Sequence, residues 1–356
     1  MWRRPGHRWV AAWWLAAALV ASPVAAAPAS AATRSAHFSE PVAIAVDRSH
    51  VWVANVLGDS VTELDARTGD VLRVVDAARD DFKTPIAIAD NGRYVWVANE
   101  GVSGDVTGTG SITELSARDG ALIRVIKVPA AHLDNPGAIA IGAEHVWVTN
   151  LQTSSSGGSV TDIRESDGSI TRVVSGVADA FDGPVAVATH DDEVWVVSSG
   201  VKNYYGNGKG VGSVTELNAT TGHVIRVITA PAVPFDEPVA IAVSGDRVWI
   251  ANLDYSSVVE LNANNGELVR LIKANSLNEP LSIAVDRRHV WLANFFGNSV
   301  TELKKSTGAL VRVIGAGIDE PGGIACSGSH VWVTNGPSNS VIELNEKTGA
   351  FVKTIS

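Results

Sequence analysis

PVAIAVDRSHVWVAN, residues 41–55, followed by SVTELDARTGDVLRVV, residues 60–75, decides the fold of this 356-residue chain. Nearly the same text recurs seven times between Pro41 and Ser356, in units opening at Pro41, Pro85, Pro136, Pro184, Pro238, Pro280 and Pro321. Each unit carries one tryptophan in a V-W-[VIL] triplet: Trp52, Trp96, Trp147, Trp195, Trp249, Trp291 and Trp332. Successive units open 41 to 54 residues apart. A repeat of this length is the mark of architectures built by stacking one supersecondary unit.

Inside a unit the sequence reads as four short strands: A (PVAIAV), B (HVWVAN), C (SVTEL) and D (VLRVV). Val, Ile, Thr and Trp fill these runs, and Gly, Asn, Asp and Ser separate them, which is strand and turn chemistry. No segment after residue 32 sustains a helical period. Four strands in about 40–45 residues make a propeller blade. The expectation is therefore an all-β, seven-bladed β-propeller of four-stranded antiparallel blades. It forms one domain over 33–356, with blades at 41–84, 85–135, 136–183, 184–237, 238–279, 280–320 and 321–356. Unit 1 begins with strand A and unit 7 ends with strand D, so closure is expected by side-chain packing alone, with no borrowed strand.

Spacing assigns the faces. Ten residues separate the opening proline from the Val before Trp in all seven units, and five separate the last strand C aliphatic from the turn glycine (Leu64 to Gly69, Leu344 to Gly349). That glycine is expected at positive φ in a tight hairpin. From Trp to the first strand C aliphatic the distance is nine residues in units 1, 5, 6 and 7, but 16, 13 and 19 in units 2, 3 and 4. In a meander the A–B and C–D turns share one end, and the B–C and D–A connections share the other. Function sits on variable loops held by a rigid frame, so the B–C/D–A face is the expected functional face.

Residues 1–32 read as a secretory signal peptide: Arg3, Arg4 and Arg8 precede VAAWWLAAALVA, and Ala29-Ser30-Ala31 offers a cleavage site. The alternative, a retained anchor, has an apolar run short for a span. The net charge is −10, and loss of three leader arginines would leave about −13. That acidity excludes a basic nucleic-acid footprint, and no later apolar run is long enough to span a bilayer. A secreted or envelope-associated monomer with no inserted segment is expected. Cys326 is the single cysteine, so there is no intrachain disulfide; it reads as a small core residue rather than a nucleophile.

Several repeated polar positions read as scaffold. Strand A, which lines the channel, is almost wholly apolar (VAIAV, IAIAD, GAIAI, VAVAT, VAIAV, LSIAV, GGIAC), which argues against mid-channel catalysis. Strand C carries Glu63, Glu114, Asp162, Glu216, Glu260, Glu302 and Glu343, and strand D carries Arg73, Arg124, Arg172, Arg226, Arg270, Arg312 and Lys353. These are expected to pair across the outer hairpin at about 0.2–1 kcal/mol each. His50, His145, His289 and His330 precede V-W, and equivalent positions on neighbouring blades should lie on the order of 10 Å apart. That is too far for shared zinc ligation at about 2.1 Å, and exposed edge residues are expected. The tryptophans read as blade-to-blade packing, and Asn55, Asn99, Asn150, Asn252, Asn294 and Asn335 as turn starters.

The loop face carries the candidate site. Each D–A loop ends as FSEP, FKTP, LDNP, FDGP, FDEP, LNEP or IDEP, so Glu40, Asp134, Asp182, Asp236, Glu237, Glu279, Asp319 and Glu320 crowd one channel mouth. Such a ring can hold a divalent cation or a cationic group; the alternative is that Asp and Asn shape the turn before proline. The B–C loops of units 4, 5 and 6 add Tyr204 and Tyr205, Tyr255, and Phe295 and Phe296, among Lys202, Asn203 and Asn207. They form either a ligand surface or a self-packed rim. No catalytic residue and no cofactor beyond that divalent cation is read from the residues.

V-W-V-[AT]-N followed by S-V-T-E-L and T-G resembles the YVTN-type β-propeller repeat family, above all at Val148-Thr149-Asn150 and Val333-Thr334-Asn335. The P-x-x-I-A strand is similar to NHL repeats and to the blades of virginiamycin B (streptogramin) lyase. These resemblances cover 41–356 and imply a secreted or surface interaction module, or, for the lyase, a metal-assisted ring-opening elimination using histidine and glutamate at the channel mouth. His132 is the one D–A mouth histidine, with His37 just before the first loop, so the lyase residues do not carry over. ELDARTGDVLRVV is also similar to quinoprotein repeats, but Arg73 and its equivalents stand near the place of their docking tryptophan, which disfavours a quinone. The expected function is a module that binds a protein or cell-wall glycan through the B–C/D–A face; the alternative is a metal-dependent lyase or lactonase at the acidic mouth.

Overall fold

Each unit forms a four-stranded antiparallel sheet with its strands side by side in chain order. The computed structural model describes residues 37–356 apart from 77–81, 102–109, 128–132, 152–156, 177–179 and 201–211; the leader read over 1–32 lies outside them. Blade 1 comprises Pro41–Val46, His50–Asn55, Ser60–Asp65 and Val71–Asp76. Blade 7 comprises Pro321–Ser327, His330–Asn335, Ser340–Asn345 and Phe351–Ile355. Strand A of each blade lies against strand A of the next, and that of blade 7 against that of blade 1. The ring of seven blades is closed, and no helix occurs among the described residues.

Period-2 placement sends Trp52 and its six equivalents into the seams. Trp52 packs on Val95, Val97 and Leu115 of blade 2, and the pattern repeats around the ring. At the closing seam Trp332 of blade 7 packs on Val51, Val53 and Leu64 of blade 1. The apolar residue that opens each D–A motif is buried too: Phe38 wedges beside Trp332, Phe82 beside Trp52, Phe235 beside Trp195. Blade 7 is complete from its own four strands, so closure uses no exchanged strand. It is not side chains alone, however. The Glu40 amide donates to Asn339 Oδ1 at 2.6 Å, and Lys353 Nζ donates to the Thr68 carbonyl.

The carboxylate–base pairs form in register in all seven blades, as in Glu63 opposite Arg73 and Glu343 opposite Lys353. Arg124 Nε lies 2.6 Å from Glu114 Oε2 and Arg270 Nε 2.5 Å from Glu260 Oε2. Their energetic setting differs from an outer-surface pair, because none of the seven carboxylates is more than 3 % exposed. The neighbouring blade covers them. Burial is the first cause that raises the pKa of Glu63, Asp162, Glu260 and Glu302, and it lifts Glu114 and Glu216 to about 7 against the lowering pull of Arg124 and Arg226. The arginines also reach across seams to the next C–D turn: Arg73 to the Asp119 carbonyl, and Arg226 Nη2 to the Asn264 carbonyl at 3.1 Å. The turn glycines sit at φ between 65° and 74°. A Cβ on Gly349 would come within 2.5 Å of Arg312 Cδ, so this close approach needs glycine twice over.

The strand B asparagines do more than start turns. Asn294 Nδ2 donates to Ser299 Oγ at 3.2 Å and Thr301 Oγ1 at 2.9 Å, and Thr301 Oγ1 donates to the Ser276 carbonyl at 2.9 Å. Buried strand ends are thereby tied to the incoming D–A loop, which satisfies polar groups no water can reach.

Candidate functional site

The B–C turns and D–A loops meet on one face, and their hydrogen bonds show how. The residue before each opening proline adopts a left-handed backbone: Glu40 at φ 51°, Thr84 at 54°, Asn135 at 57°, Gly183 at 68°, Glu237 at 51°, Glu279 at 54° and Glu320 at 41°. In blades 1, 2, 6 and 7 its amide is held by the B–C turn of the preceding blade, as in Thr84 to Asp59 Oδ1 (2.8 Å) and Glu320 to Asn298 Oδ1 (2.9 Å). In blades 1 to 6 its carbonyl accepts from the residue after strand B of its own blade, as in Val56 to Glu40 and Phe295 to Glu279. Asparagine and glycine suit this conformation; glutamate gains nothing from it. Four of the seven positions nevertheless carry glutamate, and one carries threonine.

The carboxylates of that mouth are half-buried and do not act as one group. Burial first, and then the charge of Glu320 across the closing seam, raises the pKa of Glu40. Asp319 Oδ2 accepts from Ser338 Oγ at 3.0 Å. Asp134, Asp182, Asp236, Glu237 and Glu279 are each engaged with other groups. Among the described residues, no set of three mouth carboxylates brings its oxygens within ligand reach.

The aromatic candidates divide. Tyr204, Tyr205 and His132 lie outside the described residues. Tyr255 is 70 % exposed and Phe296 is 49 % exposed; Lys273 Nζ stands 5.8 Å from the Tyr255 ring centre. Phe295 is half-buried and meets Phe296 edge-on at 5.1 Å, so it supports its neighbour. Leu57, at 57 % exposure on the B–C turn of blade 1, belongs beside them and escaped the sequence reading; aligning the turns VLGD, LDYS, FFGN and GPSN would have found it. With Pro337 exposed on the blade 7 turn, an apolar arc runs over blades 5, 6, 7 and 1. A second exposed apolar set, including Leu72, Ile225, Leu310 and Phe351, lies on the outer strand D. It recurs in most blades and so belongs to the repeat rather than to a local site.

The opposite face corrects one expectation. The histidines before V-W are not free edge residues: His145 Nδ1 meets Asp162 Oδ1 at 2.6 Å and His330 Nδ1 meets Glu343 Oε1 at 2.7 Å. Each engages the buried carboxylate of its own blade. Cys326 is a packed thiol, pushed up to about 12 by burial and then by the charges of Asp286 and Glu346, which is inert chemistry at neutral pH.

No protein-family model matches the chain, and no curated protein matches it. Solved structures do. The chain is similar to Kuenenia stuttgartiensis hydrazine synthase at 16 % identity, over 88 % of this chain and 99 % of that one, with a TM-score of 0.69. It is similar to a catalytically inactive virginiamycin B lyase from Staphylococcus aureus with quinupristin at 14 % identity, over 87 % and 96 %, with a TM-score of 0.68. It is also similar to the WD40 repeats of RRP9 at 13 % identity, over 84 % and 88 %, with a TM-score of 0.67. At such identities the likeness establishes the propeller fold and nothing finer.

Proposed function

We propose that this propeller is a secreted binding module that takes a protein or a cell-envelope glycan on its B–C/D–A face. The observation that carries this is the apolar arc: Tyr255, Phe296 and Leu57 project from turns whose backbones are clamped by the neighbouring D–A loops. Rigid exposed aromatics lose little entropy on binding and stack on sugar rings or fill a partner's pockets. The half-buried carboxylates beside them would select cationic or hydroxyl-rich ligands. Residues 1–32, read as an export leader, fit such a role outside the cell.

Co-sedimentation with purified cell-wall sacculi tests it. The Tyr255→Ala/Phe296→Ala variant is expected to bind at least about tenfold more weakly with its unfolding temperature unchanged. Binding equal to the parent chain's would contradict the assignment. The second reading, a metal-dependent lyase or lactonase, is favoured by the two acids flanking the closing seam, Glu40 and Glu320, where the charge of Glu320 adds to burial in raising the pKa of Glu40. Opening of quinupristin with Mg²⁺, lost in Glu40→Gln/Glu320→Gln, would make the mouth catalytic instead.

A further inference from the structure

We infer that Asp286, His289 and Glu346 form a divalent transition-metal site, with zinc the best-suited ion, in the seam between blades 6 and 7 on the face away from the acidic mouth. Asp286 comes from the A–B turn of blade 6 and His289 from the first position of strand B that follows it, in the run DRRH, and Glu346 from the C–D turn of blade 7. Their ligand atoms all lie within 4.8 Å of one another. His289 Nδ1 is 3.4 Å from Asp286 Oδ2 and 3.5 Å from Glu346 Oε1. Those separations are long for hydrogen bonds, which run at about 2.7–3.2 Å, and His289 Nδ1 is a buried nitrogen that makes none. They match the edge of a tetrahedron, roughly 3.4 Å for ligand atoms about 2.1 Å from a zinc ion.

The surroundings hold Asp286 and His289 in ligand orientation. His289 Nε2 faces the fully buried Glu302 at 3.3 Å, the outer carboxylate that fixes the tautomer of a ligating histidine. Asp286 Oδ1 accepts the amides of Arg288 and His289 at 2.6 and 2.7 Å, and Oδ2 accepts Trp291 Nε1 at 2.8 Å. The ring supplies its own comparison. Blade 1 repeats the turn as DRSH, with His50 Nδ1 3.5 Å from Asp47 Oδ2, but Ala117 stands where Glu346 would reach in from the next blade. At other seams neutral or cationic partners bridge this position: Asn91 to Glu165 at 2.8 Å, and Lys305 to Ser244 at 2.7 Å. One imidazole and two carboxylates suit zinc and leave a fourth position for water; calcium, which takes six to eight oxygens, is poorly served.

Calorimetric titration of the full-length chain with Zn²⁺ tests this. One equivalent is expected to bind and to raise the unfolding temperature, and Co²⁺ in its place to show the absorption bands of a tetrahedral site. Glu346→Gln, a change on a turn that leaves the core untouched, is expected to weaken Zn²⁺ binding more than about 100-fold, beyond the 10–100-fold of an outer-sphere loss. Glu40→Gln/Glu320→Gln is expected to bind as the parent does. Absence of one-to-one binding, full binding by Glu346→Gln, or loss of binding in the mouth variant would each overturn the site, leaving a histidine held between two carboxylates.

Discussion

Truncating Trp332 to alanine is expected to lower the unfolding free energy by about 3–5 kcal/mol, the range for large buried aromatics. Trp147→Ala, in the middle of the ring, is expected to cost the same. The equality follows from geometry: Trp332 seals blade 7 to blade 1 against Val51, Val53, Leu64 and Phe38, as Trp147 seals blade 3 to blade 4 against Val194, Val196, Leu217 and Phe181. No exchanged strand ties the termini, so packing at this seam, with the Asn339 and Lys353 hydrogen bonds, carries closure. Denaturant unfolding measures both variants. A cost under about 1 kcal/mol for Trp332→Ala, well below the buried-aromatic range, would show that the closing seam is open in solution.

Arg124→Ala is the second large effect. It strands the Glu114 carboxylate, fully buried by blade 3, without the guanidinium 2.6 Å away. Above pH 7, where Glu114 is ionised, leaving the buried charge unpaired costs up to about 3–5 kcal/mol, whereas replacing both partners by apolar residues is close to neutral. Glu114→Leu/Arg124→Leu should therefore recover most of the loss. The pH dependence has a definite sign. Folded Glu114 and Glu216 keep their protons up to about pH 7, while the unfolded chain releases them near the ordinary value of 4.5. Between those values the folded state holds more protons, so stability is greatest at the acid end and is lost as pH rises through 7. Thermal midpoints at pH 5.5 should exceed those at pH 7.5, and Glu114→Gln/Glu216→Gln should flatten the profile. Arg124→Ala should cost more at pH 8 than at pH 5.5, where Glu114 can take a proton. The carboxylates held low by local hydrogen bonds, Asp119 and Asp167 at about 2, act only below this window.

The fold was legible because a constant spacing leaves little freedom: ten residues from Pro to the V-W valine and five from the strand C aliphatic to Gly fix two hairpins, and their repetition fixes the ring. Pairing of Glu63 with Arg73 was equally legible, since a tight turn sets the register. Its burial was not, because what covers Glu63 is the next blade, and a one-strand pattern does not reveal a neighbour's face. The same limit explains the histidines and asparagines. His289 looked like an edge residue because Glu346, its seam partner, sits in a different repeat, and Asn294 looked like a turn starter because Thr301 lies across the sheet. At the mouth, the sequence placed the acids on the right face but did not tell that Glu40, Glu237, Glu279 and Glu320 occupy left-handed positions. Of the aromatics, Tyr255 and Phe296 stand out in solvent, while Phe295 serves to prop its neighbour.

Hydrogen–deuterium exchange, with and without soluble cell-wall fragments, tests the binding face most directly. Protection is expected in the B–C turns 56–59, 253–256, 295–298 and 336–339 and in the D–A loops they clamp. The outer strands bearing Leu72, Ile225 and Leu310 should exchange as before. Protection confined to those outer strands, with the four turns unchanged, would contradict the assignment and move the ligand to the rim of the ring.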